Sequence, residues 1–167
     1  MATPLIDGFL FAWKKNQDYA ASLVADLTEE QMILQPAVDP NAPANHPAWV
    51  LSHLNVYIPI IGSIIKGEAF EDPKPHRFGM LSQPTSDPST YQSKEELIAE
   101  FTNGHLAIAE LLGNEDDRVF EKTVALPRWQ KVMPTAAIAL PYLMFNHENG
   151  HLGQVSAWRR IQGLPSV

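Results

Sequence analysis

Apolar residues recur at helical spacing along most of the chain. Leu5, Phe9, Trp13, Ala20, Leu23, Val24 and Leu27 form a first stripe. Thr3-Pro4 opens it, because proline lacks only a donor that a first helical turn leaves unpaired anyway. Thr28-Glu29-Glu30-Gln31 has the pattern of a capping box and predicts a short helical turn, and the Pro- and Asn-containing stretch 35–45 predicts a loop. A second helix opens at Pro47 behind Asn45 or His46 as its cap. Trp49, His53, Tyr57, Ile60 and Ile64 share one face of it, and Pro59 predicts a kink.

A second capping box, Ser93-Lys94-Glu95-Glu96, opens a third helix that runs through Leu97, Phe101, His105, Ile108 and Leu111 and stops at Gly113. The fourth helix is expected from about Pro134 to Ile161, with a kink at Pro141 and with Gly163 and Pro165 past its end. Residues 66–92 and 114–133 lack periodicity and read as long connections. No run reads as a strand. Four amphipathic helices in 167 residues predict one all-α domain over residues 1–167, a four-helix bundle.

Composition narrows the function. Hydrophobic residues make up 45% of the chain and charged residues 19%, enough to fill a core. The absence of cysteine excludes disulfides, thiolate metal sites and a cysteine nucleophile. The start lacks the basic and apolar regions of a signal peptide, and the apolar stretch Ala136 to Phe145 is too short to span a bilayer. A net charge of -7 without a Lys/Arg cluster offers no footprint for nucleic acid. These features predict a soluble, cytoplasmic protein that meets a small-molecule substrate, with no membrane and no nucleic-acid partner. Ala136 to Phe145 is also apolar almost all round its helix, so its outer side needs cover, from the loops or from a second subunit in a homodimer.

The chemistry lies in the histidines. His147 and His151 are four apart, so both imidazoles leave one helix face and can reach one metal. His53, on the inward face of the second helix, is the expected third ligand. Three neutral imidazoles leave coordination positions open for water or substrate. His147-Glu148-Asn149-Gly150-His151 also spells H-E-x-x-H, the metalloprotease pattern in which Glu148 would be the general base. That reading lacks its ligand, because Leu152 to Val167 holds no His, Asp or Glu. Glu148 could still serve as a base or second-layer acceptor, or form a structural pair between helices. Trp49, Gln154 and Trp158 are expected between the metal and the open end of the bundle, where they would line a pocket, though for the two tryptophans core packing is the favoured reading. His105 reads as a core histidine or a partner of the site, and His46 as a cap. Arg159 and Arg160 suit the dipole at a helix C-terminus.

The run His46-Pro47-Ala48-Trp49-Val50-Leu51-Ser52-His53-Leu54 resembles the second helix of the DinB-like superfamily of metalloenzymes. His147-Glu148-Asn149-Gly150-His151-Leu152-Gly153-Gln154 and Arg160-Ile161-Gln162-Gly163-Leu164-Pro165 are similar to its last helix and ending, and Leu27 to Met32 to its first loop. The resemblance implies an up-down-down-up bundle, a zinc or nickel ion on His53, His147 and His151, and a homodimer. It also implies chemistry of two kinds, a transferase that uses a low-molecular-weight thiol or a small-molecule hydrolase. The alternative from another class is a non-catalytic module that binds or senses metal.

Overall fold

The computed structural model describes residues 3–36 and 43–167, so most of the loop expected at 35–45 lies outside the described residues. Thr3 caps α1 (Pro4–Val24) by accepting from Ile6 N. Thr28 and Gln31 close a reciprocal capping box on the short α2 (Glu29–Met32), satisfying two donors that a helix start otherwise leaves bare. His46 caps α3 (Pro47–Lys66), its Nδ1 accepting from Trp49 N, and Gly67 ends that helix in the left-handed conformation at φ 76°. Ser93 and Glu96 form the box on α4 (Lys94–Gly113). α3 continues through Pro59 as one helix, with Pro59 on its exposed side.

The fourth expected helix is three pieces. α6 (Ala136–Pro141) leads into a π-helical turn, Tyr142–His147, and then into α7 (Glu148–Ile161). Pro141 supplies the reason, because it has no N–H for the α-helical ladder, and a π turn accommodates the irregularity by admitting an extra residue. The connection expected to be irregular at 114–133 holds a 3₁₀ segment, Asp117–Glu121, and α5 (Pro127–Gln130). Among the described residues the only β feature is an isolated bridge between Thr123 and Thr135. The chain is all-helical.

α4 packs on α1 and α3, α7 packs on α1 and α3, and α6 rests on α3 and the Asp117–Glu121 segment. The core of this ring includes Trp13, Leu51, Ile61, Phe101, Leu140, Met144 and Trp158. α3 is apolar and long enough to cross a membrane by length and composition, a span longer than Ala136 to Phe145, but it is mostly buried inside the fold. Gly104 lets α4 approach α3, since a Cβ there would stand 2.7 Å from Ile58 Cγ2.

Arg159 does more than face a helix dipole. Its side chain is buried, donates to Leu23 O at the end of α1 and to Pro165 O, and grips both oxygens of Asp26. The guanidinium holds the Asp26 carboxyl below its ordinary pKa. The C-terminal turn and the α1–α2 junction are thereby tied to α7. In the apolar segment Ala136 to Phe145, the side chains Ala136, Ala139, Leu140, Leu143 and Met144 are covered within the chain, leaving Ile138 and Tyr142 as its exposed large residues.

Candidate metal centre

Three elements converge on one point. α3 carries His53 in its second turn, the π turn ends on His147, and the first turn of α7 carries His151. One ring nitrogen from each lies within 4.8 Å of the others, and His53 Nε2 stands 3.1 Å from His147 Nε2. An ion bonded to both at the usual 2.0–2.1 Å would see them about 100° apart, between tetrahedral and octahedral geometry. The side chains present therefore fit a divalent metal. Among the described residues no fourth His, Asp or Glu joins the cluster.

The surroundings fix the rings. His53 Nδ1 lies 2.6 Å from the carbonyl of Phe78, which can only accept, so Nδ1 carries the proton and Nε2 presents its lone pair. His151 Nδ1 lies 2.9 Å from Gln154 Oε1, which also accepts from Asn45 Nδ2. That arrangement leaves His151 Nε2 free in the same way. Such partners orient metal-binding imidazoles and make them more basic toward a metal. Trp49 stacks on the His53 ring at 4.7 Å and is itself held by Ser82.

Burial, followed by repulsion from His151, pushes the His53 pKa down to about 4. Burial and the two neighbouring rings push His147 down to about 3, and burial lowers His151. All three are neutral at pH 7, the state in which imidazole binds metal.

The triad forms one wall of a cavity of about 570 Å³, whose other walls include Trp49, Tyr57, Trp129 and Leu143. A second cavity of about 560 Å³ lies behind α3 and is lined by Glu71, Asp72, Arg77 and Glu100, with none of the three histidines.

A family model described as the DinB superfamily matches residues 12–155, most of the chain and all three histidines. The chain belongs to the DinB superfamily. No curated protein matches it.

In this DinB superfamily member the other residues singled out from sequence separate into distinct places. Trp49 lines the cavity. Gln154 holds His151 rather than the cavity wall. Trp158 is buried away from the cavity and donates to Leu34 O. Glu148 turns into the core, where Oε2 lies 3.0 Å from His105 Nε2, and it is absent from the cavity wall. His76 accepts from Phe78 N and so shapes the loop whose carbonyl holds His53.

Sequence reasoning missed Tyr57, Trp129 and Tyr142 as site residues. Tyr57 had a signal, since it sits one turn after His53 on the same face. The Phe78 carbonyl had none, because a backbone acceptor can belong to any residue.

Proposed function

We propose that this protein is a metal-dependent enzyme acting on a small molecule, with zinc or nickel held by His53, His147 and His151. The observation that carries the reading is a three-histidine cluster opening onto a cavity, without a fourth protein ligand among the described residues. A bracing metal is usually closed by four protein ligands, whereas a catalytic one keeps a position free. This favours an enzyme over a module that only binds or senses metal. The neighbour relations of α1, α3, α4 and α7 support an up-down-down-up bundle, in which the long 66–92 connection joins two parallel helices.

A bound divalent metal would supply Lewis acidity, which fits either a transferase that uses a thiol or a small-molecule hydrolase. The chain's own residues do the positioning. Phe78 O and Gln154 Oε1 keep the Nδ1 protons of His53 and His151 in place and so hold both Nε2 lone pairs toward the centre. Trp49, Trp129 and Leu143 exclude water from one side. Tyr57, whose ring centroid lies 4.6 Å from that of His147, makes no side-chain hydrogen bond among the described residues and can offer its hydroxyl to a substrate oxygen. Its pKa is raised by burial, so the hydroxyl keeps its proton at pH 7. Glu148, paired with His105, is assigned a structural role.

The test is elemental analysis of untagged protein purified without added metal, followed by a screen of electrophiles with cellular thiols and of simple esters and amides. One zinc or nickel per chain and a metal-dependent turnover are expected. Stoichiometric metal without turnover in any arm would favour the binding module.

A further inference from the structure

The walls of the cavity say what kind of molecule it takes. Met80, Val132, Ile138 and Tyr142 are exposed by 57, 69, 46 and 44%, and all four line this one cavity. Large apolar side chains left in water at random scatter over a surface; four around one opening mark a binding site. Deeper in, the walls are the aromatic faces of Trp49, Tyr57 and Trp129.

The polar inventory is short. Arg128 is the one charged side chain in the lining, and its guanidinium is committed to Asp72 through two bonds, Nε to Oδ2 at 2.8 Å and Nη2 to Oδ1 at 2.5 Å. No carboxylate faces the cavity among the described residues. Without an ion on the histidines, an ionised group lying against these walls would lose its hydration and gain no counter-charge. An uncharged apolar one would gain from each surface it covers.

We propose that the cavity selects an apolar molecule of aromatic-ring size, uncharged where it lies against these walls, its single polar group turned toward the histidines and the Tyr57 hydroxyl. The proposal rests on the functional reading above and names the substrate class of that same site. The volume, about 570 Å³, is within the range of small-molecule pockets. A second copy of this chain is the other candidate for the apolar rim. A rim around a recess ending on the triad suits a small molecule better, because a copy seated on the rim would leave the recess unfilled.

The experiment uses the full chain stripped of metal, so that no probe binds through an ion. Naphthalene-2-carboxamide, naphthalene-2-carboxylate and 2-naphthylmethylammonium are titrated while tryptophan fluorescence is read. Trp49 and Trp129 line the cavity, so a ligand there changes their emission. The carboxamide should bind roughly tenfold or more tightly than either ion. Trp129→Phe should remove a large part of the signal. Val132→Asp and Ile138→Asp should weaken carboxamide binding about tenfold with the melting temperature unchanged.

Tightest binding by the carboxylate would overturn the proposal, by showing that Arg128 leaves Asp72 for an anion. Absence of saturable binding by all three would also overturn it. So would a mass of twice 18.6 kDa that Ile138→Asp returns to 18.6 kDa, since a second copy would then own the rim. Metal content is read separately by elemental analysis, so a protein that binds the carboxamide but no metal fails the functional reading alone.

Discussion

His105 Nε2 and Glu148 Oε2 lie 3.0 Å apart in the core, where both side chains are shut off from solvent. Trp13 stacks on the His105 ring at 3.6 Å, and Trp13 Nε1 donates to the His105 carbonyl. Burial raises the Glu148 pKa, and its Oε1 and the His105 Nδ1 have no partner among the described residues. Glu148 follows His147 directly in sequence, yet its side chain joins α7 to α4 instead of facing the cavity.

Glu148→Gln should therefore leave metal content near one ion per chain, because the amide can still accept from His105. Glu148→Ala should lower stability by about 1–3 kcal/mol, as expected when a buried hydrogen-bonding group loses its partner. Urea denaturation and elemental analysis read the two effects apart. Metal lost from the Gln variant would make Glu148 a ligand and the pairing incidental.

His53→Ala, His147→Ala and His151→Ala should each abolish stoichiometric binding. Gln154→Ala should keep one ion but weaken it by roughly 10–100-fold, the usual cost of losing a partner behind a ligand. His76→Ala should also keep one ion, since His76 lies outside the triad and its ring nitrogen bonds the Phe78 backbone N–H. Competition against a zinc-sensitive dye measures all five, and full affinity in His53→Ala would refute the triad.

Most of the helices and the triad were legible because their causes are local. Capping boxes at Thr28 and Ser93 fix helix starts through contacts three residues apart. The four-residue spacing of His147 and His151 fixes a shared face. His53 was legible only in company with that pair. The π turn was not, because Pro141 announces an irregularity without saying whether the helix kinks, breaks or widens. Gln154 shares the helix face of His151, which by spacing alone points it at the cavity, yet its amide reaches back to the His151 ring. Trp129 sits in a segment without periodicity, and its place depends on how the chain returns from α4. The fate of Glu148 depended on a partner on another helix.

Gly104→Ala should destabilise the fold by about 1–3 kcal/mol, the range for overpacking a well-filled contact. The added methyl meets Ile58 Cγ2 at 2.7 Å, and a β-branched side chain inside a helix has no easy rotamer to escape into. Better helix propensity returns only about 1 kcal/mol. Denaturant midpoints decide it, and a variant more stable than the parent would show that α3 and α4 can move apart at no cost.

The metal-free protein should lose stability as pH falls from about 6.5, the ordinary histidine value. In the folded chain His53 is held down at about 4 and His147 at about 3, and His151 is lowered as well. Below 6.5 the unfolded chain takes up protons that these folded rings refuse, so acid favours unfolding until the folded values themselves are reached. Glu148 acts with the opposite sign. Its raised folded value adds stability below the ordinary carboxyl range, and that part is lost as pH rises through the folded value. His46 is buried and lowered as well, so between pH 4.5 and 6.5 four histidines oppose one carboxyl, and the net effect is stabilisation on going from pH 5 to 7. Urea midpoints in the presence of a chelator should accordingly be lower at pH 5, and His147→Phe should shrink the difference. Added zinc should enlarge it, because metal and proton compete for the same ring nitrogens. Equal midpoints at the two pH values, with and without zinc, would mean that the three rings are not buried as a neutral cluster.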